Sequence, residues 1–150
     1  RVVAHITLNW PSWSQATYRQ WYIEEAIDQQ PAIEIEVVFR VQRLAEQPVP
    51  SIVDSVATLH SPSIGAEQLE RDNITIEISH ATHGDRSADF ALEITYEGQY
   101  ELAEETLIDG ASKVLDEHFG VLGAWVASTL VKLGDLKLNF IHPDENPHTF

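Results

Sequence analysis

Four segments of the chain alternate apolar and polar residues with a period of two, and this constrains the fold more than any other feature. In "RVVAHITLNW", Val2, Ala4, Ile6, Leu8 and Trp10 share one side, with Val3, His5, Thr7 and Asn9 on the other. "AIEIEVVFRVQRL" sets Ile33, Ile35, Val37, Phe39 and Val41 together. "NITIEIS" does so with Ile74, Ile76 and Ile78, and "FALEITYEG" with Phe90, Leu92, Ile94 and Tyr96. Successive side chains of a strand point to opposite faces, so each segment predicts a strand with one buried face. "DLKLNFIHP" adds a last strand with Leu136, Leu138 and Phe140 inward. Strands of a parallel sheet, covered on both sides, read as unbroken apolar runs. One-sided strands require a mostly antiparallel sheet covered on a single face.

The intervening segments supply the cover. "PSWSQATYRQWYIEEAIDQQP" reads as a helix, with Ser12 and Gln15 spaced as a capping box and Pro31 as its stop. Tyr18, Trp21, Tyr22, Ala26 and Ile27 form its apolar stripe, and Trp10, Trp13, Tyr18, Trp21 and Tyr22 read as packing at the strand-to-helix junction. A short helix from Ser51 to about His60 follows, then a loop from Ser61 to Asn73 with one helical turn. "YELAEETLIDGASKVLDEHFG" is a helix that Gly120 should end. "VLGAWVASTLVKLG" reads as a second helix, apolar nearly all round and buried on several sides. The order β-α-β-(α)-β-β-α-α-β predicts an α+β two-layer sandwich. Its sheet is mostly antiparallel, of about five strands, with the helices on one face. A ferredoxin-like arrangement with an inserted segment fits that order. A single domain over residues 1–150, with 142–150 a polar tail, suits the length and the 43% apolar content. The chain contains no methionine, so we expect it to be trimmed or excised from a longer one.

Charge narrows the partners. Lys113, Lys132, Lys137 and the six arginines stand against twenty-four carboxylates, for a net charge of −15. With no basic patch to release counterions, nucleic acid is an unfavourable partner, and so is an anionic membrane. The longest nearly apolar run, Val121 to Gly134, is too short to span a bilayer. The absence of cysteine removes disulfides, thiolate zinc sites and cysteine nucleophiles. A cytoplasmic protein is the expectation.

Two sets of residues invite a functional reading. The polar strand faces converge on one open sheet surface bearing Glu34, Glu36, Glu77, Glu93 and Glu97, together with Arg40, Gln42, Thr95, Lys137 and Asn139. Glutamates facing one another across strands repel, and a basic protein partner would relieve that repulsion. The second set is "SHATHGDRSADF", where His80, His83 and Asp85 follow "NITIEIS". Histidine with carboxylate suits a divalent metal, with His142 of the tail "IHPDENPHTF" as a further ligand. "THGD" reads equally as turn chemistry, with Gly84 supplying a positive φ.

Two functions follow. The first is a non-catalytic acidic protein-interaction module: an assembly factor, a chaperone-like adaptor or an oligomeric scaffold. It presents the acidic face and self-associates through Leu122, Trp125 and Val126 of the apolar helix. It needs no cofactor, and its partners are a protein, preferably basic, and further copies of itself. The alternative is a metal-dependent, hydrolase-like enzyme built on the His80–Asp85 cluster, with a carboxylate as general base toward metal-bound water. The chain shows no GxSxG elbow and no glycine-rich phosphate cradle, so no catalytic residue is assigned.

Overall fold

The computed structural model describes residues 1–24, 30–79, 89–103, 107–108 and 112–141. The element order is β1 (Val2–Asn9), α1 (Ser12–Glu24), β2 (Ala32–Leu44), α2 (Pro50–Ala57), β3 (Ser63–Ile64), β4 (Glu67–Gln68), β5 (Glu70–Arg71), β6 (Thr75–Ser79), β7 (Asp89–Glu101) and α3 (Ser112–Gly134). This is an α+β fold around a five-stranded antiparallel sheet. β1 pairs with β2, β2 with β7, and the far edge of β7 is shared by β5 and β6. β3 and β4 form a separate small hairpin.

The period-two patterns land in one phase. Across the sheet, Ala4 faces Phe39 and Phe39 faces Ile94, while Ile6 faces Val37 and Val37 faces Tyr96. Directly opposed residues of an antiparallel pair lie on the same face, so these rows build one apolar surface. Val37, Phe39, Val41, Leu92, Ile94 and Tyr96 are fully buried there. The alternation breaks once. Between Val41, opposite Leu92, and Leu44, opposite Phe90, the register shifts, so Gln42 and Arg43 share the space of one partner residue. Arg43 takes φ 62°, a left-handed conformation that costs a residue with a Cβ about 1 kcal/mol or more. The bulge turns Arg43 out and Leu44 into the core.

Helix α3 lies over this surface. Its Trp125 ring meets Phe39 and Tyr96 edge-to-face, with centroids 5.4 and 4.9 Å away, and those two rings meet each other at 5.9 Å. Leu122, Val126, Thr129 and Leu133 are buried beside it, while Val121, Ala124, Ser128 and Val131 are exposed. The segment is therefore one-sided in its packing, not buried all round. It also runs straight through Gly120, where no neighbouring atom lies within 4 Å of a would-be Cβ. Burial of the stripe from Leu115 to Leu133 outweighs the roughly 1 kcal/mol that a helical glycine costs.

Other expectations need correction for equally local reasons. The ferredoxin-like arrangement is not formed: β1 and β2 flank α1 as antiparallel neighbours, whereas a split βαβ unit holds such strands parallel. Ser12 does not cap α1. The Pro11 carbonyl accepts from Ser14 and Gln15, and Gln15 Nε2 donates to the Trp10 carbonyl. Buried Ser14 fastens the helix instead, its Oγ accepting from Ala32 N–H at 2.7 Å and Trp10 Nε1 at 2.8 Å. Tyr22 is exposed, not part of a buried stripe, and Ile6 and Leu8 are half uncovered. Ser61 to Asn73 holds the β3–β4 hairpin and β5 rather than a helical turn. Tyr100 and Glu101 end β7 instead of starting a helix. The last strand shrinks to a bridge between Leu44 and Phe140, flanked by two backbone hydrogen bonds. Among the described residues no helix is long and apolar enough to cross a membrane.

Glycine positions separate packing from propensity. A Cβ on Gly98 would stand 2.7 Å from Leu69 Cδ2, so Gly98→Ala should lose about 1–3 kcal/mol in urea unfolding. In contrast, Gly120→Ala and Gly123→Ala face open space and should each gain about 0.5–1 kcal/mol.

Candidate functional site

The open sheet face carries every strand glutamate expected there, and the register decides which of them are neutralised. Arg40 on β2 lies opposite Glu93 on β7. Its Nη1 donates to Glu93 Oε2 at 2.8 Å and its Nη2 to Glu77 Oε2 on β6 at 2.6 Å. One guanidinium thus serves two carboxylates from two strands. The hydrogen bond from Arg40, and then its charge, hold the Glu77 carboxyl below the usual glutamate range.

Two rows further along this face, past Val38 and Thr95, the compensation stops. Glu36 stands opposite Glu97, and Glu97 stands opposite Glu70. Three carboxylates on three adjacent strands form a row perpendicular to the strands, continued at the sheet edge by Thr7, which faces Glu36. Glu34, on the same face, accepts from Asn9 Nδ2 at 3.0 Å. Among the described residues no cation forms a salt bridge with this group. Thr7, Asn9, Glu34, Glu36, Glu70 and Glu97 line a shallow depression of about 530 Å³. Like charges directly opposed across strands destabilise a sheet by roughly 0.2–1 kcal/mol per pair. The arrangement is thus an uncompensated, solvent-exposed row of carboxylates.

The site differs from its sequence reading in two respects. Glu77 and Glu93 belong to the Arg40 network instead of the open row, and Lys137 and Asn139 lie outside the sheet. Glu70, which completes the row, sits on a two-residue strand, too short for any periodicity to announce it. It is placed there by Leu69, whose chain crosses Gly98 and whose N–H donates to Ser61 Oγ at 3.3 Å.

A second polar contact lies on the covered face. Tyr100 Oη and His118 Nδ1 share a hydrogen bond of 2.5 Å. His118 is thus inside α3 and bonded to the sheet, not at a helix end. Burial raises the Tyr100 phenol above its ordinary pKa. Gly65, at φ 71°, turns the β3–β4 hairpin against this pair, where a Cβ would come within 2.8 Å of the Tyr100 ring. The contact fastens hairpin, strand and helix together.

The remaining expected residues divide into two groups. Leu122 and Val126 are buried and Trp125 is half-buried, all in the chain's own core. His80, His83, Asp85 and His142 lie outside the described residues. Among the described residues no group of three His, Asp or Glu side chains is close enough to hold a metal ion. No known protein family, curated protein or solved structure matches the chain.

The Arg40 network has a definite pH signature. Glu77 binds its proton less readily folded than unfolded, so its contribution is complete above the ordinary glutamate pKa and is lost as pH falls through the lowered one. Arg40→Gln should raise the Glu77 midpoint in an NMR titration. The stability gap between variant and wild type should be largest near neutrality and close as the solution is acidified.

Proposed function

We propose that the protein is a non-catalytic binding module whose open sheet face docks a cationic protein segment. The observation that carries this reading is the row Glu36–Glu97–Glu70, which remains unneutralised beside an Arg40 network that consumes Glu77 and Glu93. A sheet can neutralise cross-strand glutamates internally, as Arg40 does. The row is left open, and lysine or arginine side chains from a partner would remove its repulsion and fill the depression above it. Arg40, Glu77 and Glu93 then form a partly compensated flank, less anionic than the open row beside it. Thr7, Asn9 and Gln99 at its margin offer uncharged hydrogen-bonding groups for the partner's backbone. Such contacts are partly exposed, so they favour fast, salt-sensitive association over tight binding.

The test uses an extended lysine-rich peptide as probe, with fluorescence anisotropy as the readout. At about 0.5 kcal/mol per exposed charge contact, Glu36→Gln, Glu70→Gln and Glu97→Gln together should weaken binding about tenfold. Raising the salt concentration should reproduce that loss in the wild type, and Glu93→Gln should have a smaller effect. Equal affinity of wild type and triple variant would overturn the proposal.

A further inference from the structure

Among the described residues, strand β1 is an open edge of the sheet and pairs with β2 alone. Backbone geometry shows what it leaves unused. Gln42 N–H donates to the Arg1 carbonyl at 2.7 Å and Arg1 N to the Gln42 carbonyl at 3.3 Å, so this is a hydrogen-bonded pair. Pairs alternate along an antiparallel ladder. The odd residues of β1 therefore spend their N–H and C=O groups on β2, and Val2, Ala4, Ile6 and Leu8 turn theirs to the free edge.

Those four residues are also the ones whose side chains lie on the helix-covered face. Ile6 and Leu8 are 45% and 52% exposed, although Val37 and Ile35, directly opposite them on β2, are buried. Natural edges are guarded by charge, proline, bulges or brevity. β1 has eight residues, none of them a proline, lysine or carboxylate, and its register with β2 is unbroken. The charge distribution sharpens the contrast. Residues 1–23 contain no Asp or Glu, although the chain carries twenty-four of them.

We infer that β1 is a self-association edge: the β1 strands of two copies pair antiparallel about a two-fold axis through His5, joining two sheets into one. A two-fold axis normal to the sheet pairs residues symmetrically about the one it passes through, keeping each on its own face. Val2 then meets the partner's Leu8, Ala4 the partner's Ile6, and His5 the partner's His5. Every outward N–H from Val2 to Leu8 finds a carbonyl. The half-bare Ile6 and Leu8 are covered by the partner's Ala4 and Val2.

Charge selects a second copy as the occupant and His5 as the axis. This register sets Arg1 across from the partner's Asn9, on the polar face. Within each chain Asn9 is bonded to Glu34, so the guanidinium arrives beside a carboxylate of a strongly acidic molecule. The strand itself brings no negative charge to the contact. An axis through Ile6 would oppose Arg1 to the partner's Pro11, beyond the strand, and forgo that ion pair. The inference is independent of the proposed docking function, since it concerns the edge and not the acidic row.

The chain has no cysteine, so a single introduced one reports on one position. In the full chain, His5→Cys should form an intermolecular disulfide under mild oxidation, because residue 5 meets itself at a closely spaced, non-hydrogen-bonded pair. Val3→Cys and Thr7→Cys should each stay uncrosslinked alone yet join when mixed. The wild type should sediment as a dimer at about 100 µM, where a micromolar interface is occupied. Ile6→Lys and Leu8→Lys, at exposed positions, should sediment as monomers with unchanged circular dichroism. A monomeric wild type at that concentration would overturn the inference, as would His5→Cys crosslinking no faster than Val121→Cys on the exposed side of α3. Crosslinking of His5→Cys with Thr7→Cys, in place of Val3→Cys with Thr7→Cys, would overturn the assigned axis.

Discussion

The three edge-to-face contacts among Trp125, Phe39 and Tyr96 hold the two layers in register, and most other features depend on where they lie. Aromatic quadrupoles favour this geometry by about 0.5–1.5 kcal/mol per pair beyond the area they bury. The rings come from β2, β7 and α3, and the helix also runs close to the edge strand β1. Tyr96 extends the network by donating its Oη to the Leu59 carbonyl at 2.6 Å, which ties the segment after α2 to the same point. Val2 and Ala4 at one end of β1 pack against the core, while Ile6 and Leu8 toward the other end stay half bare.

On the opposite face the organising interaction is ionic. Arg40 is the sole arginine projecting from the centre of the described sheet face, and it engages two carboxylates across two strand boundaries. A bidentate guanidinium can do this where an ammonium would serve chiefly as a point charge. Because it stands on β2 opposite Glu93, the carboxylates within its reach are those toward the Ser79 end of β6. The row at Glu36, Glu97 and Glu70 lies toward the other end of β7. Charge on this face is thus segregated by register into a partly compensated half and an open half.

Much of this was legible in the sequence, and the exceptions share a cause. Period-two alternation reports side-chain direction, so the strand phases of β1, β2, β6 and β7 and the two faces of the sheet could be read directly. It does not report how far a neighbouring layer extends, and Ile6 and Leu8 were therefore expected to be buried. Nor does it reveal a bulge, since Gln42 and Arg43 carry no mark of one. Gly120 looked like a helix stop because intrinsic propensity is local; the apolar stripe that carries α3 through it draws its stability from the sheet. Glu70 was the hardest residue to see, because nothing in a two-residue strand distinguishes it from loop. His80, His83 and Asp85 were read from residue type and spacing, and they lie outside the described residues.

Gly98 joins the two faces in a way that bears on how this surface can change. Its missing side chain lets Leu69 cross the inner face of β7, and Leu69 delivers Glu70 to its place opposite Glu97. The core and the anionic row are therefore pleiotropic at a single position. A codon change at Gly98 cannot alter packing while leaving the outer charge pattern alone. Even the smallest substitution there, Gly98→Ala, meets Leu69 in one layer and bears on Glu70 in the other.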